Sequence, residues 1–377
     1  MKTTAPIPHV SALLTCIAPV LGVPSALSPR AGDRAKEQVT RLISSVTSDF
    51  VGKLDACAGE PCSEGGPIAP SCTSDTIVYR REYGSLSEAE RLDYVNAVKC
   101  LQRLPARTPA SVAPGARSRF DDFVAVHINQ TLTLHFTGNF MPWHRWFVHV
   151  YETALRDECG YSGYQPYWDW PKYQHAPQDS PIFNGDPYSL GGNGQYIPHN
   201  GTVITPPDGV SGGDIQLPAG VGGGYVVTGP FANLTINLGP FGGTFDLLEK
   251  PTITDYRLLS EGVPYTVEIG PHGGGHYVIN GDPGGDLFTS PGDPAFWVHH
   301  GQMDRLWTLW QARNPSTAYT QLDNGTYGHI TWANDPASRL TELDDIIDMG
   351  YAGPSVRIRD VMSTTSGPFC YFYEESP

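Results

Sequence analysis

The chain has 377 residues, 40% of them hydrophobic, and a formal net charge of −15 at pH 7. The apolar content excludes a fully disordered chain. The acidic balance excludes a nucleic-acid partner, because binding to phosphates requires a surface rich in Lys and Arg.

The N-terminus has the pattern of a secretion signal. Lys2 supplies a positive charge, residues 10–27 are mostly apolar or small, and small residues at 23–26 offer cleavage positions. An apolar N-terminal helix is the alternative. No other stretch reaches the roughly 18 apolar residues that a membrane span needs. We therefore expect a signal peptide at residues 1–25, secretion, no membrane partner and a single domain over residues 30–377.

Cysteines and glycosylation sequons are consistent with secretion. Cys16 lies in the signal, and the other six of the seven cysteines follow it. An even number of cysteines in an oxidising compartment predicts disulfides, although the sequence does not choose their pairing. A metal–thiolate cluster is the less favoured alternative, because no short Cys pair is repeated. Four Asn-X-Thr sequons predict N-glycans at Asn129, Asn200, Asn233 and Asn324.

Six segments carry hydrophobic residues at helical spacing, which predicts a mainly α fold. Ser87 and Glu90 form a capping-box pattern at the start of the second segment, and Gly160 is a stop signal after the fourth. The Gly- and Pro-rich stretch 175–250 predicts a long excursion with a few short strands. It could hold a domain boundary, but we prefer one domain. The helical segments are residues 32–56, 86–104, 117–132, 142–159, 271–280 and 294–313.

Seven of the twelve histidines fall in two clusters along the predicted helices. A lone histidine on an apolar helix is usually packed in the core, but seven would leave many buried polar atoms unsatisfied. His272 and His276 are four residues apart, so a helix places both imidazoles on one face. The first cluster is His127, His135 and His144, and the second is His272, His276, His299 and His300.

Metal ligation would satisfy these imidazoles. Nitrogen ligands with few carboxylates nearby suit copper or zinc better than magnesium or calcium. Two sets of about three histidines, each from a pair of helices, predict a dinuclear centre inside a helical bundle. Residue spacing alone does not choose between the two metals.

Three motifs together resemble the tyrosinase, catechol oxidase and hemocyanin superfamily of type-3 copper proteins. They are FMPWHRWFVHVYE at residues 140–152, DPAFWVHHGQMDRLW at 293–307 and PYWDW at 166–170. The resemblance is nearest to short fungal polyphenol oxidases of the catechol oxidase kind, and it runs from about residue 40 to Tyr373. It implies a catalytic domain built on a central antiparallel four-helix bundle that holds two copper ions.

The resemblance also implies a ligand set and a reaction. Small phenols and O2 would be the partners, with o-diphenols oxidised to o-quinones and oxygen reduced to water. His299 would lie beside the second copper and orient its surroundings. The first copper would be held by His127, His135 and His144, and the second by His272, His276 and His300.

Five further residues resemble parts of the family's substrate pocket. Glu268 would be the water-holding carboxylate. Gly273 stands where enzymes strong on monophenols often carry Asn, which implies weak or absent monophenol hydroxylation and room for bulky phenols. Tyr277 is either an entrance residue or a packed helix aromatic. Leu287 would be a gate residue, and Phe296 would border the pocket near His300.

Four other functions remain open at this point. A tyrosinase would hydroxylate monophenols substantially, and a pathway oxidase would act on one natural product. A hemocyanin-like carrier would bind oxygen without forming quinone, so a catechol turnover assay would distinguish it. A di-zinc hydrolase would contain zinc rather than copper, so metal analysis would identify it.

Overall fold

Seven α-helices dominate the part of the chain that the computed structural model describes. Helix α1 includes residues 43–50 and 52–54. The others are α2 (Glu88–Leu101), α3 (Arg119–Leu134), α4 (Phe140–Cys159), α5 (Ile253–Glu261), α6 (Gly270–Ile279) and α7 (Ala295–Arg313). The structure describes residues 41, 43–50, 52–54, 72–173, 176–201, 203–205, 214–216, 219–231, 234, 236, 245–263, 269–313 and 328–375.

Local sequence signals account for the helix ends. Ser87 and Glu90 form both hydrogen bonds of the predicted capping box at the start of α2. Ser118 and Asp121 form a second capping box at the start of α3. Gly160 ends α4 with a left-handed φ of 70°, a conformation that costs glycine little because it has no Cβ.

The strands are short and pair in twos. β1 (Val78–Arg80) is parallel to β6 (Tyr371–Tyr373), with Val78 opposite Tyr371. β2 (Val203–Ile204) is antiparallel to β3 (Ile215–Gln216), and β4 (Ile346–Ile347) is antiparallel to β5 (Val356–Arg357). The predicted mainly α class with a few short strands is therefore confirmed. The antiparallel four-helix bundle stays a prediction.

Helix α4 lies at the centre of the packing. It packs against α2 and α7, while α6 packs against α5 and α7. Aromatic side chains fill the space between α3, α4 and α7. Tyr151 stacks on Trp297 with ring centroids 3.6 Å apart, and Phe123 meets the edges of both rings. This apolar packing sets the spacing of the helices that carry the histidines.

The structure contains two of the predicted disulfides. Cys72–Cys370 joins the chain just before β1 to the chain just before β6, and Cys100–Cys159 joins the ends of α2 and α4. Cys57, Cys62 and the predicted signal at residues 1–25 lie outside the described residues, as do Asn233 and Asn324. No helix in the described part is both long enough and apolar enough to cross a bilayer.

A buried ionic network ties these elements together. The Asp304 carboxylate on α7 accepts hydrogen bonds from Arg145 on α4 at 2.6 Å and from Arg80 on β1 at 3.3 Å. The hydroxyls of Tyr371 and Tyr373 on β6 donate to the same carboxylate at 2.5 and 2.6 Å. Burial alone would raise the pKa of Asp304, but the two guanidinium groups and the hydroxyl donors hold it below its ordinary value.

We expect Asp304→Asn to lower the free energy of unfolding by about 3–5 kcal/mol, because it leaves two buried guanidinium groups without their shared anion. Urea denaturation of the copper-loaded protein measures this loss. Asp344→Asn removes the same charge from an exposed pair and should cost no more than about 1 kcal/mol. Similar losses in the two variants would contradict the assignment.

The same network predicts a pH dependence of stability. The folded pKa of Asp304 lies below its ordinary value of 3.8. Its stabilising contribution is therefore present above that pH and is lost as the pH falls through the lowered pKa. The stability difference between wild type and Asp304→Asn should shrink in acid and stay constant between pH 6 and about pH 8.

Candidate metal centre and its cavity

Three histidines from α3 and α4 form the first cluster. His127 lies within α3, His135 caps its C-terminus, and His144 lies in the second turn of α4. Between the helices the chain reverses at Phe136, which takes a left-handed φ of 56°. Their ligand nitrogens lie within 4.8 Å of one another, and all three side chains are buried. The structure thus brings together the set that the sequence predicted.

Backbone carbonyls orient each ring of the first cluster. Nδ1 of His127 lies 2.8 Å from the carbonyl of Phe288, and Nδ1 of His144 lies 2.9 Å from that of Phe140. Nδ1 of His135 is likewise 3.0 Å from the Thr131 carbonyl. A carbonyl only accepts, so each Nδ1 carries the proton and each Nε2 keeps a lone pair. Nε2 of His127 and of His144 is buried with no partner in the described structure.

The second cluster combines two consecutive turns of α6 with α7. Nε2 of His276 lies 3.2 Å from Nε2 of His272 and 3.2 Å from Nε2 of His300. A proton on one Nε2 can satisfy only one neighbour at a time, whereas a cation bound by all three lone pairs would satisfy the whole cluster. Two such clusters of lone pairs fit two ions that prefer nitrogen ligands, as copper does.

The two clusters face each other. His144 of the first cluster stacks on His300 of the second with ring centroids 4.4 Å apart. His135 stacks on His272 at 5.6 Å. The two histidine clusters therefore fit one dinuclear metal centre rather than two independent metal sites.

His299 differs from its neighbour His300 in its hydrogen bonds. Its Nδ1 accepts a hydrogen bond from the Trp170 indole N–H at 3.0 Å, and its Nε2 donates to the His272 carbonyl at 3.0 Å. Both ring nitrogens are therefore engaged within the protein, and the second bond links the His299 ring to the backbone of His272. Gly275 makes the close approach possible, since a Cβ there would lie 2.1 Å from Cε1 of His299.

Burial keeps these imidazoles neutral. It lowers the pKa of His127 to about 3, of His135 to about 4 and of His299 to about 3. Burial, together with the neighbouring imidazoles, also lowers the pKa of the four remaining members of the clusters. A neutral imidazole is the form that binds a metal, so the protein holds the clusters ready for metal at neutral pH.

A cavity of about 360 Å³ opens above the second cluster. Its lining includes His135, His272 and His276, and it also includes three of the predicted pocket residues, Gly273, Tyr277 and Leu287. Burial raises the pKa of Tyr277 to about 12, so its hydroxyl stays protonated. The remaining walls are mostly apolar and include Phe136, Val203, Ile215, Val263, Ile269 and Trp332.

The structure places Phe296 against His300. Phe296 is 1% exposed and is not among the described residues that line the cavity, so its place at the border of the pocket stays a prediction. Its ring stacks on His300 with centroids 4.1 Å apart. Helical spacing predicts that Phe296 lies beside His300. It does not predict which face of the His300 imidazole is turned towards the cavity.

Glu261 is a cavity residue that the sequence analysis missed. This carboxylate is 2% exposed and lines the cavity at the end of α5. It accepts hydrogen bonds from the Phe136 backbone N–H and from Arg257. Burial raises its pKa to about 7 against the effect of both donors. In the sequence, the Arg257–Glu261 spacing of one helical turn was the available signal for this pair. Glu268, the carboxylate that the sequence predicted, lies outside the described residues.

Comparison with known proteins agrees with this geometry. The common central domain of tyrosinase matches residues 117–260 and 243–313. The chain is 41% identical to the tyrosinase-like protein orsC of Emericella nidulans, over 75% of this chain and 88% of that protein. It is 38% identical to tyrosinase P of Aspergillus terreus, over 83% of this chain and 96% of that protein.

A solved structure is also similar. It is a variant of the polyphenol oxidase from Thermothelomyces thermophila, with a TM-score of 0.79 and 55% sequence identity. The match covers 90% of this chain and 98% of that chain. The predicted copper cofactor and polyphenol oxidase activity are supported by these relatives and by the two histidine clusters. The chain belongs to the tyrosinase family of dinuclear copper phenol oxidases.

Proposed function

We propose that the protein is a secreted catechol oxidase with weak or absent activity on monophenols. The observation that carries the proposal is the pair of facing histidine clusters beneath an open cavity, with only a glycine at position 273 beside His272. Two bound copper ions would supply the redox chemistry, by which two o-diphenols and one O2 become two o-quinones and two waters.

The proposed ligands divide as the two clusters do. Carbonyl-bound Nδ1 atoms support Nε2 ligation by the first three histidines, and the converging Nε2 atoms support ligation by the second three. His299 would position rather than bind, because both of its nitrogens are hydrogen-bonded. The first ion would be held by His127, His135 and His144, and the second by His272, His276 and His300.

We assign a proton-accepting role in the cavity to Glu261, while Glu268 as the water-holding carboxylate stays a prediction. Glu261 lines the cavity with His272, and its pKa of about 7 suits a group that takes a proton near neutral pH. It would accept the proton of a phenolic hydroxyl directly or through a water. Tyr277 and Leu287 would contact the aromatic ring of the substrate, since both line the same cavity.

Gly273 is the basis for the proposed preference for diphenols. With no side chain, Gly273 cannot help Glu261 to hold a water. Glu261 alone would then have to take the proton of a monophenol. A Cβ at this position would contact Ile269 at 3.3 Å and Tyr277 at 3.5 Å. A small side chain is therefore tolerated after a slight shift of its neighbours.

Secretion is supported by two disulfides and by surface sequons. Disulfides persist in oxidising compartments, and the structure contains Cys72–Cys370 and Cys100–Cys159. Asn129 and Asn200 are exposed, as a glycan acceptor must be. The signal at residues 1–25 and the catalytic domain over residues 30–377 are part of the same proposal.

Copper content tests the ligand assignment. We expect His144→Ala and His300→Ala each to reduce bound copper from two ions per chain to about one, because each removes a ligand from a different ion. Elemental analysis after copper loading and desalting measures this. His199→Gln alters a histidine outside both clusters and should leave the copper content unchanged. Full copper retention in either cluster variant would refute its assignment.

Substitution at position 273 tests the preference for diphenols. Gly273→Asn should raise the ratio of monophenol to diphenol turnover by about tenfold, because the amide can hold a water that accepts the phenolic proton. Tyramine and dopamine form a suitable pair of substrates. Gly273→Ala introduces the same Cβ without the amide, so it should not raise the ratio. An equal increase in both variants would point to shape rather than proton transfer.

The role of Glu261 predicts a pH profile. The ionised carboxylate accepts the proton, so kcat/KM should fall as the pH drops through about 7. Glu261→Gln should lower kcat/KM by roughly 10²-fold and remove this dependence. Glu342→Gln alters an exposed carboxylate outside the cavity and serves as the control. A profile that keeps the same acid limb in Glu261→Gln would assign that limb to another group.

A further inference from the structure

We propose that the cavity selects phenols by charge: it favours catechols whose side chain is neutral or cationic and disfavours those that carry a carboxylate. The inference rests on the proposed catechol oxidation and specifies its substrate class. A substituent at ring position 4 points away from the two hydroxyls. When the hydroxyls reach the histidine clusters, that substituent therefore lies towards the mouth of the cavity, where the protein's own side chains decide what is accepted.

The lining of the cavity carries acidic groups without a matching cation. Glu261 and Asp286 are both among the lining residues, and no Lys or Arg is among those that the structure describes there. Arg257 is the cation closest along the chain to Glu261, and it bonds to that carboxylate at 3.2 Å instead of lining the cavity. Asp286 therefore places a negative charge at the mouth of the cavity. No Lys or Arg among the described lining residues offsets this charge.

The Asp286 carboxylate is exposed but held in one orientation. Its Oδ1 accepts hydrogen bonds from the backbone N–H of Phe288 at 2.9 Å, the N–H of Thr289 at 2.7 Å and the hydroxyl of Thr289 at 2.8 Å. These bonds tie Asp286 to the next turn of the loop after α6. A fixed charge acts on an incoming ligand without the entropy cost of ordering a flexible side chain.

Lys and Arg are also absent from the sequence of the two segments that contain most of the described lining residues. Residues 173–249 and 258–304 contain no Lys or Arg. These two segments supply every lining residue except His135, Phe136 and Trp332. A substrate carboxylate therefore meets no Lys or Arg among the described lining residues, whereas an ammonium group meets Asp286.

The apolar wall explains why a substituent can reach this region. Val203 and Val263 are 48% and 41% exposed, although both are aliphatic and both line the cavity. Ile215 on β3 and Ile269 before α6 line it as well. This wall suits the carbon chain of an alkyl substituent, which would bury apolar surface there. The preferred class is thus an alkyl-substituted catechol with no charge or with an amine at the end of the chain.

The test compares three catechols that differ at position 4: 4-ethylcatechol, dopamine and 3,4-dihydroxyphenylacetate. Their kcat/KM values are measured with copper-loaded enzyme in 10 mM and in 500 mM NaCl. We expect the dopamine-to-dihydroxyphenylacetate ratio to exceed about tenfold in low salt and to fall several-fold in high salt, because salt screens an exposed charge. Normalising to 4-ethylcatechol removes changes that affect all substrates alike.

Asp286→Asn isolates the charge. The amide oxygen can still accept the bonds from Phe288 and Thr289, so the loop is kept while the charge is lost. We expect the ratio in low salt to fall by about three- to tenfold, a loss of one unit charge at a partly solvated site. Asp344→Asn makes the same change in net charge outside the cavity and should leave the ratio as in wild type.

The outcomes separate the two proposals. If 4-ethylcatechol is not oxidised, the proposed function fails. If it is oxidised but the ratio is insensitive to salt and to Asp286→Asn, charge selection is overturned while catechol oxidation stands. If Asp286→Asn and Asp344→Asn lower the ratio equally, the effect belongs to net charge, and the assignment to the cavity mouth is overturned.

Discussion

Buried imidazoles must have their N–H groups satisfied, and this requirement organises the metal centre. A ring N–H left without a partner in an apolar interior costs free energy, so each ring of the first cluster is fixed by the acceptor that its N–H finds. His144 and His135 use carbonyls one turn earlier in the chain, whereas His127 uses the distant carbonyl of Phe288. Fixing one nitrogen to the backbone aims the other at the centre before any metal arrives.

The Asp304 network gives these rings a rigid base. Arg145 follows His144 on α4, and Asp304 lies one turn after His300 on α7, so their ion pair joins the two helices directly beside the two clusters. Arg80 and the tyrosines of β6 connect the same carboxylate to both ends of the described domain. The relative position of the histidine clusters therefore depends on a charge balance outside the centre.

The sequence predicted the helices that local signals specify. Apolar spacing and end signals identified α2, α3, α4, α6 and α7 to within a few residues, because both act within a few turns. Helix α5 was missed because it is only nine residues long and follows a Gly-rich stretch. Glu261 was missed with it.

Histidine clusters were visible as residue types, but their geometry was not. The bond between His127 and Phe288 spans 161 positions, and His144 of α4 stacks on His300 of α7. Such relations arise only from tertiary packing.

The absence of Lys among the described residues that line the cavity has a chemical consequence for the stability of the enzyme during turnover. An o-quinone is an electrophile, and amines and thiols add to its ring. Residues 173–249 and 258–304 contain neither Lys nor Cys, and the cysteines of the described structure are joined in disulfides. A quinone leaving the cavity thus meets neither Lys nor Cys among the described residues that line it, which limits covalent self-inactivation during turnover.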